Sequence, residues 1–298
     1  MPASVTGLGS SAHFSAIGTE WQVDTDRPLS PELLGLIERR VEAFDRTYSR
    51  FRADSLVTRV AQSPGSFEFP ASFEFPEDAP PLFDLYDSLF VLTDGAVTPL
   101  VGRSLEQLGY DRDYTLARTG DASVPARWTD VARSGRTVTT TEPTLIDVGA
   151  AGKGYLVDLV GGVLRANGVE RFVIDASGDL LASPGETLRI ALEHPFDPTM
   201  AIGVATITGR SLCASGSNRR VWGEGLHHIL DGRTGAPTSD VISTWAIADT
   251  ALEADGLATA LFFTDPANLA ERYHFSFVRL FAGGRADVAT NFPGELFT

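Results

Sequence analysis

Apolar positions in the first third of the chain recur at helical spacing in two stretches. Leu33, Ile37, Val41 and Phe44 share one helical face, with Ser30 placed as an N-cap and Pro31 suited to the first helical position. A second stripe, Leu82, Leu85, Leu89 and Leu92, predicts a helix from about Pro81 to Thr93, with Gly95 just past its end. Between them lies a near-repeat, Ser66-Phe-Glu-Phe-Pro70 and Ser72-Phe-Glu-Phe-Pro76. Its alternation suits an edge strand and its prolines forbid a central one. Residues 110–144 are polar and turn-rich. Thr144–Val148 then reads as a buried strand, and a glycine-rich turn leads into a helix from Lys153 to Asn167, ended by Gly168. Strands are expected at 172–175, 188–193, 202–206, 226–230 and 243–248. A helix over 252–263 follows, and the chain is expected to close on the strand 277–281. Without a steady βαβ alternation, the class is α+β, with helices packed on mixed sheets.

The length of 298 residues allows one large domain or two intimate lobes around a sizeable core. A net charge of -15 repels nucleic acid and anionic membranes, so neither is an expected partner. A polyphosphate substrate would require a metal ion or a local cluster of donors. Cys213 is the only cysteine; it excludes an intrachain disulfide and reads as a small buried hydrophobe in a reducing compartment. Met1–Ala16 lacks the basic and apolar regions of a signal peptide, and no apolar run approaches the ~18 residues of a membrane span. A cytoplasmic location is the expectation.

Three segments carry candidate chemistry. Asp147-Val-Gly-Ala-Ala-Gly-Lys-Gly154 is a glycine-rich turn opening a helix, which presents amide N–H groups and a dipole to an anion. Lys153 is the chain's only lysine, and it is read either as a point charge at that spot or as a solvent-facing residue of the first turn. The spacing fits neither a phosphate-binding P-loop nor a Gly-x-Gly-x-x-Gly dinucleotide turn. Asp255 and Thr259 lie four apart on one helix face, where a carboxylate and a hydroxyl can share a hard cation; Asp255 as a helix-start partner is the other reading. Finally, Leu212-Cys-Ala-Ser-Gly216 precedes Arg219 and Arg220, the pair His227-His228 and a tight polar turn over Asp231–Gly235. Adjacent histidines on a strand face opposite ways, and their spacing is not a zinc pattern.

Taken in order, these segments resemble the ApbE-type flavin transferase family. The resemblance begins at Ala16-Ile-Gly-Thr-Glu-Trp21 and runs through Tyr48–Ser55, Asp94-Gly-Ala96, Asp147–Asp158 and Ala214-Ser-Gly216. It continues through His228-Ile-Leu-Asp231, Arg233-Thr-Gly235 and Ala254–Ala260. It implies a single ApbE-like, T-fold-related domain over 1–298, with room for two lobes and an FAD cleft between them. It further implies an Mg2+-dependent transfer of the FMN half of FAD to a Thr or Ser hydroxyl of an acceptor flavoprotein, releasing AMP. By the same resemblance, magnesium falls to the Ala150 carbonyl, Asp255 and Thr259. FAD falls to Ile17, Phe51, Asp94, Gly95, Ala96, Asp147, Lys153 and Ile229. His228 is similar to a histidine with acid–base or orienting work, and Asp255 is implied in catalysis through its metal. Phosphoryl transfer of this kind depends on positioning and charge neutralisation.

The sequence departs from the family's pattern at Val97-Thr-Pro-Leu100, where an aspartate and a threonine are lost. It departs again at Ile17, at Asp231-Gly-Arg233 and near Val60. The metal set is untouched. Two other functions stand beside this one: an Mg2+-dependent FAD pyrophosphatase giving FMN and AMP, which needs the same residues, and a non-catalytic flavin-binding protein, against which the retained Asp255, Thr259 and Lys153 argue.

Overall fold

The computed structural model describes residues 4–5, 7–62 and 68–297. Ser66 and Phe67, which open the first copy of the Ser-Phe-Glu-Phe-Pro repeat, lie outside the described residues, as do Met1–Ala3 and Thr6 of the leader reading. The architecture is three-layered. An eight-stranded sheet runs Ala286–Val288, Ser276–Phe281, Val241–Ala248, Ser211–Gly216, Asp179–Ala182, Phe172–Asp175, Thr19–Thr25, Ser10–Ala16. Every named strand pair is antiparallel, so the mixture is one of several sheets and not of strand directions.

Both faces of the central strands are buried, and alternation divides them. Ile174, Leu181, Cys213 and Ala246 join the helical core, whereas Val173, Leu180, Leu212 and Trp245 pack toward a four-stranded sheet that contains Thr187–His194 and Asp197–Thr208. The helical layer is built on Gly152–Ala166 and Ala251–Ala260, flanked by Pro31–Tyr48 and Pro80–Leu92. Ser30 caps its helix as expected, its hydroxyl accepting from Leu33 N at 3.3 Å, with Leu33, Ile37 and Phe44 buried beneath.

Three strand expectations change, and one hairpin is added. Thr144–Val148 is buried but irregular: Thr144 N donates to Val60 O and Asp147 N to Pro99 O, so two separate segments replace a ladder. The expected strand at 226–230 stops at His227, because Ile229 N turns back onto His227 Nδ1. The chain does not close on Ser276–Phe281: Ala286–Val288 extends that sheet, and Gly294–Leu296 crosses to pair with Asp197–Thr208. The paired strands Ser10–Ala16 and Thr19–Thr25 were not expected; they form a hairpin on the turn Ile17-Gly18, both at positive φ. The second copy of the repeat is an edge strand, as its prolines require.

The approach of the two central helices is set by Gly154. A Cβ there would overlap the Ala251 carbonyl and lie 2.6 Å from Asp255 Cβ. We therefore expect Gly154→Ala to push the helices apart and cost about 3 kcal/mol, lowering Tm by about 6–12 °C. A thermal melt equal to wild type would show that the helices have slack at this crossing.

Candidate active site

The two central helices cap each other. Asp158, on the first, accepts from Ala251 N at 3.0 Å and Leu252 N at 2.8 Å, the opening amides of the second. Asp255, on the second, accepts from Gly154 N at 2.9 Å in the first turn of the first. Desolvation raises the Asp158 carboxyl to about 6 in spite of those two bonds. The helix-start partnership read for Asp255 is thus real, but it is made to a neighbouring helix and uses one carboxylate oxygen.

Beneath this lock sits an ionic cluster. Lys153 Nζ lies 2.9 Å from Asp179 Oδ2 and donates to Ala176 O at 2.9 Å. Asp179 is wholly buried on the sheet face toward the helices, directly across from Cys213 in the ladder. Burial pulls the Lys153 ammonium down, yet Asp179 and Asp255 more than offset it and hold its pKa above the ordinary value. The carboxylates go the other way. Burial, only partly countered by Lys153, raises Asp179; burial and the like charge of Asp179 push Asp255 well up. Fully ionised, Asp179 and Asp255 would set two negative charges against the one ammonium of Lys153, so burial favours their protonated forms unless a cation balances the excess. Lys153 is 22% exposed, but its ammonium is engaged by Asp179 and the Ala176 carbonyl.

Next to the cluster, Thr259 Oγ1 donates to Ala150 O at 3.1 Å and lies 3.5 Å from Ser215 Oγ. The Ala150 carbonyl and the Thr259 and Ser215 hydroxyls are hard donors of the kind magnesium takes; Asp255, one turn before Thr259 on the same helix, is buried and lines neither cavity. Ala150, Ser215 and Thr259 line a cavity of about 130 Å3 together with Ala96, His228 and Ile229. His228 Nδ1 meets Arg219 O at 3.1 Å; a carbonyl only accepts, so the ring proton sits on Nδ1 and Nε2 carries a lone pair. Burial, then Arg220 and His227, push His228 down to about 3, so the ring is neutral at physiological pH. His227 is spent structurally, its Nε2 on Thr238 O at 2.7 Å.

A wider cleft of about 600 Å3 adjoins this cavity and is bounded by Ile17, Phe51, Asp147 and Lys153. Asp147 belongs to both: its Oδ2 takes Arg50 Nε at 2.6 Å and its Oδ1 accepts from Gly149 N at 2.7 Å. Asp94 and Gly95 are not brought here. They line a separate depression of about 410 Å3 with Val91 and Arg233, and only Ala96 of that turn reaches the small cavity.

The family model described as the ApbE family matches residues 17–275. The chain belongs to the ApbE family. A FAD:protein FMN transferase of Klebsiella pneumoniae (strain 342) is 27% identical over 288 residues, spanning 89% of this chain and 81% of its own. One from Escherichia coli (strain K12) is 27% identical over 282 residues, spanning 86% and 78%. Among solved structures, flavin transferase ApbE from Vibrio cholerae superposes with a TM-score of 0.78 at 21% identity, covering 99% of this chain and 97% of that one. The ApbE protein of Thermotoga maritima MSB8 gives 0.82 at 22% identity, covering 96% and 99%. These structures share the fold.

Within that family frame, several residues at the site went unnoticed in the sequence. Arg50 is 2% exposed, and its two terminal nitrogens have no hydrogen-bond partner in the structure. Tyr110, Tyr114 and Trp222 also line the wide cleft, beside Arg220 of the segment that leads to the histidine pair. Asp179 had a legible signal, a charge at the head of the apolar run Leu-Leu-Ala. At the departure from the family pattern, Thr98 lines the small cavity, and its hydroxyl accepts from Leu100 N at 3.2 Å.

Removing Lys153 should therefore disturb the fold as well as any ligand. Lys153→Met leaves two buried carboxylates without their ammonium, a loss of about 3–5 kcal/mol at pH 8. A carboxyl whose folded pKa is raised favours the fold more as pH drops through that value, since the folded state then binds the extra proton. Denaturant melts in chelator should show the loss shrinking from pH 8 to pH 5. Equal losses at both values would remove the ion pair from this account.

Proposed function

We propose that this chain is an FAD:protein FMN transferase, taking FAD as substrate and a Thr or Ser hydroxyl of an acceptor flavoprotein as nucleophile. The observation that carries the reading is the convergence of the Ala150 carbonyl, the Thr259 hydroxyl and the neutral His228 ring on one small cavity. FAD would span both cavities, with Ile17, Phe51, Asp147 and Lys153 along the wide cleft and Ala96 and Ile229 in the small one. Asp94 and Gly95 would act only through the turn that shapes Ala96.

The acceptor hydroxyl oxygen attacks the FMN phosphorus, the bond to the AMP phosphate breaks, and AMP leaves with the electron pair. His228 Nε2, unprotonated and open, takes the hydroxyl proton. Arg219 O holds the ring by its Nδ1–H, which leaves the lone pair on Nε2. Asp255 would share magnesium with Ala150 and Thr259 through the carboxylate oxygen that Gly154 leaves free. Bound there, the ion would neutralise charge on the phosphate oxygens. The named relatives support the FAD:protein FMN transferase activity. Attachment to a folded acceptor requires an open approach, which the wide cleft offers.

The test is incubation with FAD, Mg2+ and candidate flavoprotein domains, followed by chromatography for AMP and mass spectrometry for an FMN adduct. Equal release of AMP and adduct is expected; AMP and free FMN without adduct would mean a pyrophosphatase, and neither would leave a binding protein. His228→Gln should lower turnover by about 10²–10⁴-fold with FAD affinity retained. Because His228 stays neutral down to about pH 3, the wild-type rate should show no step near pH 6.5 from this ring.

Asp255→Asn keeps an oxygen for Gly154 but removes the charge, which separates the capping role from the metal role. Saturating Mg2+, at about 100 times its Kd, should stabilise the wild type by about 2.7 kcal/mol and the variant by much less. A variant that gains as much from Mg2+ as the wild type would exclude Asp255 as a ligand.

A further inference from the structure

Four aromatic rings crowd one wall of the wide cleft. Tyr110 and Trp222 are 6% and 5% exposed and stack on each other at 5.3 Å between centroids. Phe51 meets Tyr110 edge-on at 5.5 Å and carries the Arg50 guanidinium 4.2 Å from its ring centroid. Tyr114 lies parallel to Phe51, 5.0 Å away and tilted by only 7°. It is 54% exposed. The side of Phe51 that the cleft could have used is thus taken by Tyr114, and Tyr114 is the ring with a face still open.

The backbone holds Tyr114 there at a cost. Its φ is +51°, a left-handed conformation that glycine adopts freely and an L side chain does not. The turn is pinned at both ends. The Asp111 carboxylate accepts from Asp113 N and Thr115 N at 3.0 Å each, Tyr114 N donates to Asp111 O at 3.2 Å, and Leu116 N donates to Gly109 O at 2.9 Å. A large ring kept where glycine would relieve strain, fixed by its turn and facing an open cleft, has the features of a binding surface.

We propose that Tyr114 is the platform on which the isoalloxazine ring of FAD stacks, with Phe51 as the ring behind it; this rests on the transferase reading above. Isoalloxazine is an electron-poor plane and phenol an electron-rich one, which favours the pair over adenine on phenol. The tricycle also needs the larger of the two cavities. The stacking role that the family resemblance implies for Phe51 passes to Tyr114, and Phe51 becomes its support.

The experiment titrates wild type, Tyr114→Phe, Tyr114→Leu and Tyr114→Gly with FAD, riboflavin and AMP, following flavin emission and heat of binding. Tyr114→Phe should bind both flavins nearly as wild type but quench their emission less, because phenylalanine is a poor electron donor. The Leu and Gly variants should weaken both flavins about tenfold or more and leave AMP unchanged. Tyr114→Gly should melt close to wild type, since glycine suits this φ, which separates lost stacking from lost fold. Unchanged riboflavin affinity in both the Leu and Gly variants, or a loss confined to AMP, overturns the platform while leaving the transferase reading in place. A wild type that binds no flavin overturns both.

Discussion

The contact on which the rest of this structure depends is the crossing of two helices at Gly154, where each helix offers a carboxylate to the other's N-terminus. Neither Asp158 nor Asp255 could reach if a side chain at residue 154 held the backbones apart. The closeness in turn strands Asp255 in a dry interface beside Asp179, and one ammonium, that of Lys153, must serve both. A lysine suits this geometry because its point charge can meet Asp179 and Ala176 O at once, where a planar fork would need more room. The glycine-rich turn read as an anion site in the sequence is therefore partly an internal one: its first-turn amide already holds a carboxylate.

Much of this was legible, and what was not has a physical cause. Helices announced themselves through local signals, such as Ser30 as a cap and the Leu82–Leu92 stripe, because capping and amphipathicity act within a few residues. The i, i+4 relation of Asp255 and Thr259 is also local. The placement of Thr259 beside Ala150 O, 109 residues away, came only from the resemblance. Thr144–Val148 misled because an apolar run shows burial and not hydrogen-bond partners; the partners turned out to be Val60 O and Pro99 O. Asp179 and Arg50 act through partners 26 and 97 residues distant, and no spacing rule connects such pairs.

Strain is concentrated where the cleft is. Of the six non-glycine residues at positive φ among those described, Ile17, Tyr114, Leu116 and Arg220 all line the wide cleft. Ile17 is the sharpest case, a β-branched residue in a two-residue hairpin turn that would be easier with asparagine or glycine. These positions sit on three unrelated segments, so no single turn explains them. A rigid sheet and a locked helix pair can hold strained loops at their rim, and the fold's stability sits away from the surface that meets a ligand.

The acidic character of the chain fits the same division. Around the cleft, the cationic groups are mostly engaged: Arg50 with Asp147, Arg52 with Glu42, Asp45 and Asp54, and Lys153 with Asp179. Arg220 makes no hydrogen bond or ion pair among the described residues. Arg50 keeps two unpartnered nitrogens, and its charge is already offset by Asp147. A diphosphate entering this site would find few free positive charges, and at its inner end two buried carboxyls with a single ammonium. Side chains alone would give it little to bind there. On the function proposed above, a divalent ion on hard oxygen donors would supply the missing positive charge where the Ala150 carbonyl and the Thr259 hydroxyl meet, and would leave the neutral His228 ring free to handle a proton. Two buried carboxyls on one ammonium would be a defect in a purely structural core; on that reading they would give a cation, and through it an anionic substrate, a reason to bind.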